Sequence, residues 1–134
     1  MTTSIQKPQG DRTARTKKLD RNLFRRVEKW LVEDGNITDP ELSREMICKR
    51  FKIGRNHFAP FFRAYTGRTW NDYIGDLRID LACRLMKEHP SETLDSIARS
   101  AGITVRQTFV RLFTDRHNTT PSAYRKHLRG EKAK

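Results

Sequence analysis

Apolar residues recur along this chain at helical spacing, and turn residues punctuate the runs between them. Leu23, Phe24, Val27, Trp30 and Leu31 share one face of a helix that Asp20 can cap. It runs to about Glu33, where Asp34-Gly35-Asn36 ends it. Asp39-Pro40 opens a turn. Ser43 then caps a second helix through Arg50 that buries Met46 and Ile47, with Phe51 at its end. Lys52-Ile53-Gly54 makes a short turn, and a third helix through Tyr65 carries Phe58, Phe61, Phe62 and Tyr65 on one side. Helix, short turn and helix with this burial is the helix-turn-helix layout.

Thr66-Gly67-Arg68 breaks the chain again. Thr69 can cap a long helix to about Lys87, and Asp72 suits its positive end. Trp70, Tyr73, Ile74, Leu77, Leu81 and Leu85 form its apolar stripe, and His89-Pro90 stops it. A further helix from Ser91 or Thr93 to about Ser100 presents Leu94, Ile97, Ala98 and Ala101. Ala101-Gly102-Ile103 is the next turn. Its partner helix, from about Val105 to Arg116, buries Phe109, Leu112 and Phe113. Thr120-Pro121 then caps and opens a short last helix that carries Tyr124 in the core.

The second half repeats the first. Ile47, Cys48, Phe51 and Ile53 recur as Ile97, Ala98, Ala101 and Ile103, each 50 positions later. Phe58, Phe61, Phe62, Thr69 and Tyr73 recur as Phe109, Leu112, Phe113, Thr120 and Tyr124, each 51 later. One insertion between Ile103 and Phe109 accounts for the difference. The chain therefore reads as all-α, with two helix-turn-helix subdomains joined by a long linker helix. The first unit spans about residues 19–68, the linker about 69–87 and the second unit about 91–128. A unit of about 50 residues is marginal alone, so the two are expected to share the linker. At 1.5 Å per residue the linker is roughly 25 Å long. That length can set two units apart by a distance comparable with one DNA turn, about 34 Å.

Charge changes the picture from a fold to a partner. Lys and Arg number 28 against 16 Asp and Glu, a formal net charge of +12, which favours a polyanion: nucleic acid or an acidic membrane surface. Residues 1–18, with Lys7, Arg12, Arg15, Lys17 and Lys18, read as a disordered basic tail, and residues 129–134 as a frayed end. Two cysteines without a CxxC fit a reducing cytoplasm rather than a disulfide framework. No apolar run approaches transmembrane length, and residues 1–18 lack the apolar stretch of a signal peptide. His57, His89, His117 and His127 have no metal-ligand spacing, there is no glycine-rich phosphate loop, and no hydroxyl stands beside a His-Asp pair. Neither an enzyme activity nor a cofactor is expected.

Ser96-Ile97-Ala98, Ala101-Gly102-Ile103, Phe109, Arg111-Leu112-Phe113, Thr120-Pro121-x-x-Tyr124-Arg125 and, on the linker helix, Tyr73-Ile74, Arg78-Ile79 and Ala82 resemble the DNA-binding domain of the AraC/XylS family of bacterial transcription regulators. The resemblance covers roughly Leu19 to Leu128. It implies seven helices and two recognition helices in successive major grooves on one face of double-stranded DNA. It also implies activation, more often than repression, through RNA polymerase. Family members commonly carry a separate effector-binding or dimerisation domain. No such small-molecule site is evident in this chain, which looks like a stand-alone member or a fragment of a longer one. The rival reading is a basic helical interaction protein that binds RNA or an acidic protein. Stacking-based RNA recognition needs exposed aromatics, whereas the Phe and Tyr residues here fall on inferred core faces.

With Phe109, Leu112 and Phe113 facing inward, Arg106, Gln107, Val110 and Arg111 face the bases. Arginine can fork onto guanine, glutamine can pair with adenine, and valine can touch a thymine methyl. Arg111 matches a base-contacting position of the resembling family. In the first unit the same logic selects Arg55, Asn56 and Ala59 for bases and Arg63 for phosphate. Pro60 stands where the second unit has Arg111. Two readings of its helix remain open: a late start that leaves Arg55 and Asn56 extended, or a start at Gly54 with a kink. His57 is either a partly buried support or a phosphate ligand. Ser43 and Thr93 cap helices or meet phosphate through helix N-termini. Arg125 meets phosphate or faces solvent, and Arg78 braces the fold.

Overall fold

The computed structural model describes residues 19–130. The expected basic tail over residues 1–18, and residues 131–134, lie outside the described residues. Among the described residues seven α-helices follow one another: α1 (Arg21–Val32), α2 (Arg44–Phe51), α3 (Arg55–Thr66), α4 (Trp70–Glu88), α5 (Leu94–Ser100), α6 (Arg106–His117) and α7 (Pro121–Leu128). A 3₁₀ turn, Asn36–Thr38, lies between α1 and α2, and there is no strand among the described residues. The all-α reading and the helix count hold. The chain divides into two compact units: residues 19–34 with Ser43–Trp70, and Gly35–Leu42 with residues 71–130.

The first unit is held by aromatic rings. Asp20 is extended, and its Oδ1 accepts from the Leu23 N–H at 3.0 Å, which starts α1. α1 then buries Leu23, Phe24, Val27 and Leu31. Phe24 meets Phe61 and Phe62 edge-on and stacks on Tyr65, with centroids 5.5–5.8 Å apart. Phe58 meets Trp70 at 5.3 Å. Each such pair is worth about 0.5–1.5 kcal/mol beyond burial, a useful density of interaction in so small a unit. Trp30, expected in the core, is half-buried and meets Phe51 edge-on at 5.9 Å.

The second unit packs α4 against α5 and α6 through Ile79, Ala82, Cys83, Met86, Ile97, Ala98, Ala101, Ile103, Phe109 and Phe113. Here the expected stripe of α4 needs correction. Ile74 is buried, but Leu77, Leu81 and Leu85 are only half-buried, and the helix instead turns Gly75, Ile79, Ala82, Cys83 and Met86 inward. Small residues mark close approach: a Cβ on Gly75 would lie 3.1 Å from the Leu112 Cδ2. Bulk alone thus misplaces the face. The Gly35–Leu42 segment folds onto this unit because Arg78 reaches it. Its Nε donates to the Ile37 carbonyl and its Nη2 to the Asp39 carbonyl, both at 2.8 Å. The bracing role expected of Arg78 is this pair of bonds.

Both helix-turn-helix turns use one device. Lys52 and Gly102 adopt left-handed backbone, φ 58° and 92°. The next residue then donates back across the turn, Ile53 to the Cys48 carbonyl at 3.0 Å and Ile103 to the Ala98 carbonyl at 2.9 Å. The inserted residue of the repeat sits immediately afterwards. Gly54 alone separates Ile53 from α3, whereas Thr104 and Val105 separate Ile103 from α6.

Candidate nucleic-acid interface

α3 and α6 occupy the recognition position of their units. Each has 12 residues, starts at a residue with its counterpart 51 positions away, and ends in a left-handed cap, Gly67 or Asn118. α6 buries Phe109 and Phe113. That leaves Arg106, Gln107, Val110 and Arg111 exposed, with Val110 at 38% and the Arg111 side chain at 64% exposure. Arg111 makes one long contact, 3.9 Å to Asp115, which leaves its fork almost free.

Arg106 differs. Its Nε donates to the Asp95 Oδ1 at 3.0 Å and its Nη2 to the Asp95 Oδ2 at 2.6 Å. The bond from Arg106 holds the Asp95 carboxyl below the usual carboxylate range against a weaker opposing effect of burial, and Asp95 in turn raises Arg106. Nothing in the helical periodicity could show this pair, because Asp95 lies 11 residues away on α5. At the other end of α6, Arg116 forks onto Asp80 of α4 at 2.9 and 3.0 Å and reaches Asp76 at 3.6 Å. The helix is therefore tied at both ends by arginine–carboxylate pairs. An open groove of about 670 Å³ runs beside it, lined by Thr93, Leu94, Asp95, Arg106, Phe109, Val110, Thr120, Pro121 and Ser122.

In the first unit Arg55, Asn56, His57, Ala59, Pro60 and Arg63 are all exposed. α3 is helical from Arg55 with Pro60 inside it, so a late start is ruled out. Pro60 has no N–H for the Asn56 carbonyl. His57 is not a buried support. Its ring lies back over Gly54, where a Cβ would come within 2.9 Å of the His57 Cδ2. Arg44 lies over the Phe58 ring at 6.0 Å.

The remaining candidates divide. Ser43 stands at the start of α2, but its side chain makes no capping bond, contrary to expectation. Thr93 does cap, its hydroxyl accepting from the Ser96 N–H at 3.0 Å. Thr120 does the same for Ala123 at 3.1 Å. Arg125 is half-buried, and its Nε and Nη2 are shut away without a hydrogen-bond partner. Burial, then the neighbouring charge of Arg129, lowers its pKa, and Glu92 opposes the shift. Arg129, expected to fray, donates to the Pro90 carbonyl at 2.9 Å. Cys48 and Cys83 are free thiols. Cys83 is buried beside the His117 Nε2 at 3.3 Å, and burial raises its pKa. No group of three or more His, Cys, Asp or Glu among the described residues could hold a metal ion, and no described helix is long and apolar enough to cross a membrane.

A helix-turn-helix domain model matches residues 47–127, which spans both turns and both candidate recognition helices. The chain belongs to the AraC/XylS family of transcription regulators. The regulatory protein SoxS of Escherichia coli strain K12 is 31% identical over 99 residues, covering 74% of this chain and 89% of SoxS. The HTH-type transcriptional regulator YobQ of Bacillus subtilis is 32% identical over 76 residues. The match to YobQ covers 57% of this chain and 31% of that protein, so the chain spans about a third of that longer relative. The HTH-type transcriptional activator RhaR of Cronobacter sakazakii is 30% identical over 91 residues, covering 68% of this chain and 32% of RhaR. A solved structure of a protein of unknown function from Listeria innocua shares the fold. It has a TM-score of 0.69 and 23% identity, covering 78% of this chain and 95% of that one. Membership in the AraC/XylS family makes DNA binding for transcription regulation the function of this fold.

Proposed function

We propose that the chain reads double-stranded DNA through α3 and α6 in successive major grooves and activates transcription through RNA polymerase. Arg111 on α6 is the principal base reader, with Arg106, Gln107 and Val110 beside it. The observation that carries this reading is the exposed, nearly unpaired fork of Arg111 on the helix whose opposite face is fixed by Phe109 and Phe113. In the first unit Arg55, Asn56 and Ala59 address bases, and Arg63, His57 and Ser43 address phosphates. Thr93, its hydroxyl committed to Ser96, acts through its helix start. Arg125 contributes least, with two of its three guanidinium nitrogens withdrawn. Activation accords with the description of the RhaR relative as an activator. The chain acts on the bacterial nucleoid and carries no enzyme activity.

Binding-site selection from random duplexes, followed by competition of the selected site against scrambled DNA, tests the reading. Arg111→Ala should cost about 1–3 kcal/mol on the selected site and relax one base pair. An equal loss on scrambled DNA would reduce Arg111 to a phosphate contact. No selected site at all would refute sequence reading.

A further inference from the structure

The Arg106–Asp95 fork has a geometry that an ordinary surface ion pair does not need. Asp95 takes the side edge of the guanidinium, Nε and Nη2, with both carboxylate oxygens. Three N–H groups remain, two on Nη1 and one on Nη2, and one from each nitrogen points along the end edge of the same rigid plane. That edge is the fork that fits guanine O6 and N7. A single arginine can therefore accept the carboxylate from one side and a base from the end at once. Arg106 opens α6, where the residues that face a major groove begin.

We propose that Asp95 is a positioning residue for DNA reading: it fixes Arg106 in the plane and direction that suit guanine, and so sets specificity at one base pair. The inference rests on the base-reading role given to Arg106 above. Three physical consequences follow from the pair. An unpaired arginine samples many rotamers and falls as readily on a phosphate as on a base, so fixing it lowers the entropy lost on reading. The carboxylate also cancels most of the charge that would draw Arg106 to the backbone. Finally, Asp95 repels any phosphate that approaches without the correct base to occupy the end edge, which penalises wrong sites more than right ones. Asp95 also stands in the first turn of α5, where a negative charge favours the helix. That favourable placement requires no fork and predicts no effect on base choice.

The 134-residue chain and its Asp95→Ala, Asp95→Asn and Arg106→Ala variants would be compared on four duplexes that differ only at the base pair Arg106 addresses, and on scrambled DNA. Wild type should prefer guanine by roughly 5- to 150-fold, the range of one bidentate arginine–guanine pair. Arg106→Ala should abolish that preference and weaken binding. Asp95→Ala should remove most of the preference while binding scrambled DNA at least as tightly as wild type, since a repelling charge has gone. Asp95→Asn, which still accepts through one oxygen, should retain part of it. In Asp95→Ala thermal melting should fall only slightly, by the loss of the favourable charge at the start of α5, and the preference at the Arg111 base pair should stay unchanged, which separates positioning from folding. Full guanine preference in Asp95→Ala would overturn the inference and leave Arg106 as an unaided reader. A wild type with no preference that Arg106→Ala removes would overturn the underlying role of Arg106 instead.

Discussion

Arg78 on α4 donates from Nε to the Ile37 carbonyl at 2.8 Å, a bond that joins residues 41 apart in sequence. The second bond, from Nη2 to the Asp39 carbonyl at 2.8 Å, completes a brace on the Gly35–Leu42 loop. Burial lowers the Arg78 pKa, only partly opposed by Asp39, so the charge is held there against its hydration. Gly102 closes the arrangement, because a Cβ on it would lie 2.8 Å from the Ile37 oxygen and 2.9 Å from the Arg78 Nε. Arg78→Ala should therefore lower stability by about 1.5–3 kcal/mol. Gly102→Ala, strained at φ +92° as well as crowded, should cost about 1–3 kcal/mol. The two losses should not add, since each disrupts the same loop. Denaturant midpoints of both single variants and the double variant measure this, and strict additivity would show that the sites are independent.

Sequence pattern carried the helices because aromatic and aliphatic spacing is local information. Asp20, Thr93 and Thr120 declare their caps within three residues. The offset of 51 aligned α3 with α6, and both helices start where that alignment puts them. What escaped was long-range. The inward face of α4 departs from the apolar stripe because Gly75, Ala82 and Cys83 bury themselves by being small, which depends on what packs opposite. Asp95 is invisible as a partner of Arg106 because it lies on another helix, and Arg125 looks like a surface arm because the burial of its guanidinium depends on tertiary packing.

Lys52 occupies the left-handed position that Gly102 fills in the second unit. A side chain there costs roughly 1–2 kcal/mol, while glycine loses about 0.5–1 kcal/mol of extra chain entropy. Lys52→Gly should accordingly stabilise the protein by about 0.5–1 kcal/mol, the difference between the two. Thermal unfolding of the variant at fixed salt measures it. A drop in midpoint would show that the exposed Lys52 side chain supplies an interaction larger than the strain.

Pro60 sits at the sixth residue of α3 and leaves the Asn56 carbonyl without its helical donor. Both its own position and that of Arg111, its counterpart, are exposed. Pro60→Ala should restore the bond and raise stability by about 1–3 kcal/mol, bounded by the general penalty for an interior proline. Pro60→Arg should do the same and also give the first unit a fork at the position that Arg111 holds in the second. Half-site selection should then find sharper base preference in the first half than wild type displays. Gain of stability without gain of selectivity would mean that α3 does not lie close enough to the bases for an arginine at this position to reach them.

Asp95 gives a titration that reports the fork directly. Its carboxyl lies below the ordinary Asp value chiefly because Arg106 donates to it, so the folded pKa is lower than the unfolded one. The interaction is therefore complete above the unfolded value and is lost as pH falls through the lowered folded value. Between pH 6 and 8 the pair is fully formed, and base preference at the Arg106 position should not change with pH in that window. Both side chains are exposed, so the effect on global stability is small and melting is the wrong readout. The Asp95 carboxyl carbon shift, followed by NMR into acid, should show a midpoint below that of an ordinary aspartate. Arg106→Ala should move that midpoint up toward the ordinary range, with Arg99 still lowering it a little, while Arg111→Ala should leave it in place, because Arg111 pairs only distantly and with Asp115. An Asp95 midpoint indifferent to Arg106→Ala would mean that the two side chains part in solution, and that Arg106 approaches DNA with its whole fork unoccupied.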